Sequence, residues 1–354
     1  MDSRSSRVLI ACSLVALLAL AVSALVLVHV PPDRTAGSVS ARASVGFDQV
    51  VVVAMENHNL YDVYQNAAAP YENGLNQGVA THWQSVTNPS QPNYIAVIGG
   101  STFGVTGDGN HPNLNKPTLV DILSNTGKTW KAFAEDASGT GCSINPPRGE
   151  DHYPFLSYTT ITGNASRCAN LLPGSSSEVI SALDAGTNFI WLTPNDCNNM
   201  HSCSVSTGDS WFQGWVPNLL SAMQGKRAFL LLWWDEAYTS PPYIPLFLAG
   251  PAVKSNYVSS NEYVHYSILK LIEDVWGGGD LGQGDVTAAS PLEFFNAGGP
   301  DFTVSASPTS VSFTAGQSAT STVTVTAVGG FSGQVNLTGP PCLPGSRPRA
   351  PPPA

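Results

Sequence analysis

Three apolar runs along the chain are short, rich in β-formers, and end on acidic or amide side chains. FDQVVVVAM (47–55) runs into Glu56 and Asn57, NFIWLTP (188–194) into Asn195 and Asp196, and RAFLLLWW (227–234) into Asp235 and Glu236. Runs of this length without polar alternation predict parallel strands covered on both faces. Between them lie helical patterns, such as KPTLVDILSNTG (116–127) and YVHYSILKLIEDVWG (263–277). Strands alternating with helices predict an α/β sheet with right-handed crossovers. In such sheets ligands bind beyond the carboxyl ends of the strands. Carboxylates at matching strand ends would therefore meet at one edge, and a cluster of them repels itself unless a cation is present. The competing reading for any one pair is a solvated turn.

One further stretch draws notice for its chemistry. In NPSQPNYIAVIGGS (88–101) a small hydroxyl, Ser90, stands between Pro89 and Pro92 at the mouth of an apolar segment. A turn explains these residue types. A nucleophile aimed into a site explains them too.

The remaining segments set the context. The chain has 354 residues, a formal net charge of -10 and only 11% charged residues, which speaks against nucleic acid as a partner. Arg4 and Arg7 precede a 23-residue apolar run from Val8 to Val30. This predicts a signal peptide or a membrane anchor over 1–30, with Cys12 a plain apolar residue of that segment, then a polar linker over 31–45. Any membrane contact is expected through that segment alone. Cys142, Cys168, Cys197 and Cys203 form an even set, as in exported domains with two disulfides, and the sequence-local pairing is Cys142–Cys168 with Cys197–Cys203. Residues 46–297 read as one domain. Residues 300–340 alternate Val, Phe and Thr with small polar residues, the pattern of a partial Ig-like β-sandwich. The Pro-rich end, 341–354, reads as disordered.

The motifs VVVAMENHN, PSQPNYIAVIGGSTFG, TWKAFAEDASGTGC, TPNDCNNMHSCSVSTGDSWF, LLLWWDE and HYSILKLIEDVWG occur in the order seen in the bacterial and archaeal phosphoesterase family. That family holds secreted acid phosphatases and phospholipases C and belongs to the alkaline phosphatase superfamily. The chain resembles it over about residues 46–280, most nearly its acid phosphatases of the phosphatidylinositol 3-phosphatase type. The resemblance implies an α/β/α sandwich. It implies one divalent metal ion, of a kind the residues leave open (Ca, Mg, Mn, Fe or Zn), bound by Glu56, Asn57, Asp235, Glu236 and the Ser90 hydroxyl. Ser90 becomes the nucleophile, and His201 and His152 match histidines that contact phosphate or move protons. Asp209 either orients a histidine or caps a helix. His265 reads as core packing.

Where relatives carry acidic residues around the site histidine, this chain has Asn199 and Ser202, so a second metal is not expected. The implied activity is a secreted or surface-anchored, metal-dependent phosphatase acting on phosphomonoesters, with a small-molecule or lipid head-group substrate. A phospholipase C or other phosphodiesterase on the same scaffold is the alternative. A cell-surface binding protein with an inactive catalytic domain is the alternative from another class.

Overall fold

The computed structural model describes residues 6–13, 46–75, 77–109, 111–238, 243–296, 301–307, 320–328 and 347–348. The chain divides into two compact units, one spanning Val45–Asn296 and the other joining Met1–Ser44 to Ala297–Ala354.

The larger unit is built on eight strands: β1 (Gln49–Met55), β2 (Gly78–Ala80), β3 (Trp130–Ala134), β4 (Leu171–Pro173), β5 (Phe189–Thr193), β6 (Ala228–Trp234), β7 (Leu246–Ala249) and β8 (Tyr257–Ser259). Their order is β8-β2-β7-β6-β1-β5-β3-β4. The run β6-β1-β5-β3-β4 is parallel throughout, and β7 alone runs against its neighbours. All three apolar runs of the sequence are central strands, and every residue of β1, β5 and β6 is buried.

Helices cover both faces, as the parity of β1 shows. Gln49 donates to Leu183 O and Thr187 O at 2.8 and 3.0 Å, around the end of helix α3 (Ser176–Asp184). That face also carries α4 (Val205–Ala222), packed on α3. Residues of opposite parity meet helix α1 (Ser90–Gly99). Val52 pairs with Trp191 and Ala54 with Trp233, and both indoles pack against Tyr94 of α1, with centroids 6.2 and 5.1 Å away. Helices α2 (Leu119–Asn125) and α5 (Tyr266–Trp276) pack on α1. The expected α/β/α sandwich is therefore present.

Two disulfides, Cys142–Cys168 and Cys197–Cys203, tie down the surface loops in the expected pairing. Of the apolar run Val8–Val30, only its first residues are described; they belong to a strand, Ser6–Ser13, antiparallel to Thr320–Val328. The rest of the expected leader and the linker lie outside the described residues. Among those residues no helix is long and apolar enough to cross a membrane. Of the expected Ig-like segment, Asp301–Ser307 and Thr320–Val328 form an antiparallel pair, and its other parts lie outside the described residues. The same holds for most of the Pro-rich end.

Glu273 of α5 is buried beside Asp285. Burial, and then the Asp285 carboxylate, push Glu273 up to about 8 from an ordinary 4.5. The folded protein thus keeps a proton that the unfolded chain releases, so this group's contribution to stability falls as pH rises from about 4.5 to 8. Glu273→Gln removes that loss. Thermal melts should show the variant gaining on the parent protein across this window, and a constant difference in melting temperature would refute the assignment.

Candidate active site at the strand ends

The register of β1 with β6 pairs Met55 with Trp234, so the next residues, Glu56 and Asp235, emerge side by side. Their parity directs them to the face of α1. Asn57 follows with φ 43°, in the left-handed region that Asn tolerates. Its N–H donates to Asp235 Oδ1 at 2.9 Å, and the N–H of Glu236 donates to the same oxygen at 2.8 Å. Asn88 holds Glu236 through a 2.7 Å bond to Oε2.

Ser90 is the first residue of α1, with Pro89 at the cap position. The turn expected around Ser90 is thus the opening of a helix. Pro92 lies in the first turn, where a missing N–H costs little. Asn93 pins the incoming chain: its Oδ1 accepts from the N–H groups of Val86 and Thr87 at 3.0 and 3.1 Å, and its amide donates to Thr87 O at 2.7 Å. Gly100, at φ 73°, ends the helix in the left-handed conformation favoured by glycine. The Ser90 hydroxyl is buried, 3.4 Å from Glu56 Oε2 and 3.5 Å from Asn57 Oδ1.

The Asn57 amide is the hub of this cluster. Its oxygen lies 3.0 and 3.3 Å from the two Asp235 carboxylate oxygens and 3.2 Å from Glu236 Oε1. Rotated by half a turn, the amide would donate to all three. Turned the other way, the amide presents its oxygen beside these carboxylates, adding one more oxygen donor to the set. Neighbouring oxygen ligands of an octahedral ion, each about 2.1 Å from it, stand about 3 Å apart. Among the described residues no three His, Cys, Asp or Glu side chains form a cation cage. The gathering at Asn57 draws on an amide and a hydroxyl beside the carboxylates.

The electrostatics agree with such a donor set. Burial, then the charge of Asp235, pushes Glu56 well above the usual carboxylate range. Burial also raises Asp235 to about 6, despite hydrogen bonds from Asn57, Ser90 and Glu236. Glu236 is pushed up to about 8 by burial and then by Asp235. Three dehydrated acids that resist ionisation are what a hard cation can offset.

Around them stand groups of differing exposure. Tyr94 donates to Glu56 Oε1. Arg148 reaches Glu56 Oε2 at 3.3 Å, and His152 Nε2 comes within 3.5 Å of the same oxygen. His152 is 2% exposed, and burial, then the Arg148 charge, lowers it to about 3. His201 lies further out, exposed on the loop after β5, with Nδ1 3.1 Å from Ser202 Oγ. That loop is closed by Cys197–Cys203 and anchored by the Glu56 N–H donating to Asn199 O at 3.0 Å. Gly208 of α4 lets the loop approach, since a Cβ there would stand 2.5 Å from Met200 Cγ.

The structure thus brings Glu56, Asn57, Ser90, Asp235, Glu236 and His152 together and sets His201 at the rim. Asp209 is not in the cluster. It lies within α4 and accepts from the N–H groups of Tyr71 and Glu72 at 3.1 and 2.8 Å, capping the short helix Pro70–Gly74. The helix it caps is a different one from the following helix expected in the sequence. His265, read as packing, is also a support: its Nδ1 accepts from Trp233 at 2.9 Å and Trp83 at 3.3 Å, so Nε2–H donates to Asp235 O at 2.6 Å. Tyr94, Asn88 and Arg148 went unnoticed in the sequence. Tyr94 is hidden in an apolar run, and Arg148 in an irregular loop.

Comparison with known proteins adds a frame. The profile of the phosphoesterase family matches residues 48–278. An acid phosphatase of Aspergillus fumigatus is 29% identical over 71% of this chain and 59% of its own length. A phosphatidylinositol-3-phosphatase of Mycobacterium tuberculosis is 28% identical over 67% of this chain and 80% of its own. This chain therefore spans well under two thirds of the Aspergillus protein. Among solved structures, an alkaline phosphatase superfamily protein of Vibrio parahaemolyticus is 10% identical with a TM-score of 0.46, over 68% of this chain and 70% of that one.

Because Asp209 caps a helix remote from Ser90, Asp209→Ala should cost about 1 kcal/mol of stability and leave turnover per folded molecule unchanged. A collapse of turnover at unchanged melting temperature would return Asp209 to the site.

Proposed function

The chain belongs to the phosphoesterase family, and from that premise we propose that it is a metal-dependent phosphatase that hydrolyses phosphomonoesters with Ser90 as nucleophile. One observation carries the reading: a buried serine hydroxyl opens a ten-residue helix and points at Glu56 and Asn57, beside Asp235 and Glu236. Substrates of this kind are phosphorylated small molecules or lipid head groups. Two disulfides support action outside the cytoplasm.

A divalent cation held by Glu56, Asn57, Asp235, Glu236 and Ser90 would supply Lewis-acid stabilisation of the serine alkoxide and of phosphoryl charge. The protein does the rest. Ser90 gives up its hydroxyl proton to solvent, Oγ bonds to phosphorus as the bond to the leaving alcohol breaks, and the positive end of α1 favours the anions on both sides of that step. Water then cleaves the phosphoserine. In this reading His201 hands a proton to the leaving oxygen. His152, held neutral by burial, serves as a hydrogen-bonding partner. His265 fixes the backbone of Asp235, and Asn88 the carboxylate of Glu236.

Two variants test this. Ser90→Ala should fold, keep its cation, and lose turnover of para-nitrophenyl phosphate by on the order of 10³-fold or more. Acid quenching of the parent protein should leave phosphate on the peptide containing Ser90. Near-normal turnover in the alanine variant would end the proposal. Asp235→Ala should lose both bound cation, measured by elemental analysis, and activity. Hydrolysis of bis-esters or phosphatidylcholine in preference to monoesters would shift the assignment to a phosphodiesterase. A protein inactive on all of them points to a binding role.

A further inference from the structure

Three polar groups lie within 3.5 Å of one oxygen, Glu56 Oε2. They are the Ser90 hydroxyl at 3.4 Å, Arg148 Nη1 at 3.3 Å and His152 Nε2 at 3.5 Å. A hydroxyl, a guanidinium and an imidazole around a single carboxyl oxygen are the surroundings that a phosphoryl oxygen would also favour. Of these groups, Arg148 carries a permanent charge.

Its position is built rather than incidental. Arg148 stands at the N-cap position of the 3-10 turn Gly149–His152, and Tyr153, next after that turn, is buried and donates to Ala132 O of β3 at 2.6 Å. Pro146 and Pro147 stiffen the approach. On the far edge of the guanidinium, Nε lies 3.4 Å from Asp196 Oδ1, on the loop after β5. A small cavity lies here, lined by Pro146, Pro147, Arg148, Thr193, Pro194 and Asp196. With Nε toward Asp196, Nη1 reaches the Glu56 oxygen that the Ser90 hydroxyl also approaches.

We propose that Arg148 grips the phosphoryl group during transfer and makes the site prefer monoesters to diesters. The inference rests on the phosphatase reading above. A monoester carries one more ionisable oxygen than a diester, so a fixed guanidinium opposite the nucleophile adds more to its binding and to its transition state. The carboxylates of the cluster do the reverse and repel the extra charge. Arg148 tips this balance.

The test compares para-nitrophenyl phosphate with bis(para-nitrophenyl) phosphate. In Arg148→Ala, kcat/KM for the monoester should fall about 100-fold, and that for the diester by a clearly smaller factor. The inhibition constant of inorganic phosphate should rise about 10-fold. Added guanidinium should restore part of the monoester rate. Bound cation should stay at the parent value, and a loss confined to stability would mark a merely structural role. Should the alanine variant fail to fold, Arg148→Lys keeps a charge beside Glu56 but loses the planar fork, and the same fall in selectivity is expected. Equal losses on both esters, with phosphate inhibition unchanged, overturn the proposal. If the parent protein hydrolyses neither ester, the functional reading fails. Calorimetry with inorganic phosphate on the parent protein and Arg148→Ala still decides the role of Arg148, with equal binding refuting it.

Discussion

The fold brings negative charge where water cannot reach it. Glu56 and Asp235 are fully buried and Glu236 nearly so, side by side at the ends of adjacent strands. Each is pushed toward its neutral form by burial, and Glu56 and Glu236 also by a neighbouring acid. The surrounding features can be understood as answers to this load. Asp235 takes two backbone N–H groups, Glu236 takes the amide of Asn88, and Glu56 takes Tyr94, Arg148 and Ser90. Beneath them, Trp83, Trp233 and His265 form a neutral hydrogen-bonded base. The indoles orient the imidazole, and the imidazole orients the carbonyl of Asp235.

Much of this was legible in the sequence because it rests on short-range pattern. Apolar runs without alternation can only be strands covered twice, so β1, β5 and β6 could be read directly, and the residues just past them fell at one edge. The disulfide pairing followed from proximity along the chain. The Ser90 motif left two readings open, a turn and a nucleophile, because its residue types serve both.

What escaped the reading depends on contacts between distant segments. Nothing local marks Tyr94 as the phenol that reaches Glu56, since it sits in a stretch that also reads as plain core. Arg148 lies in a loop without periodicity, and its place is set by Tyr153 reaching β3 and by Asp196 two strands away. Asp209 was read as orienting a histidine or capping the helix that follows it, whereas its carboxylate serves a helix 137 residues back. His265 was read as packing, correctly, but the same burial also lends its second nitrogen to Asp235. Propensity speaks of the element a residue joins and is silent on which partner its polar atom meets.

The reach of the cluster along the chain carries a kinetic meaning. Asn57 and Asp235 are 178 residues apart in sequence, and they meet only when β6 docks in parallel beside β1. Parallel pairing over such a span is intrinsically slow, because the entropy of closing the loop is spent before any contact repays it. The acids can stay hydrated and separate until that last docking, so their repulsion falls on the final approach of β6 rather than on early collapse. The central strand pair would then set the pace of folding.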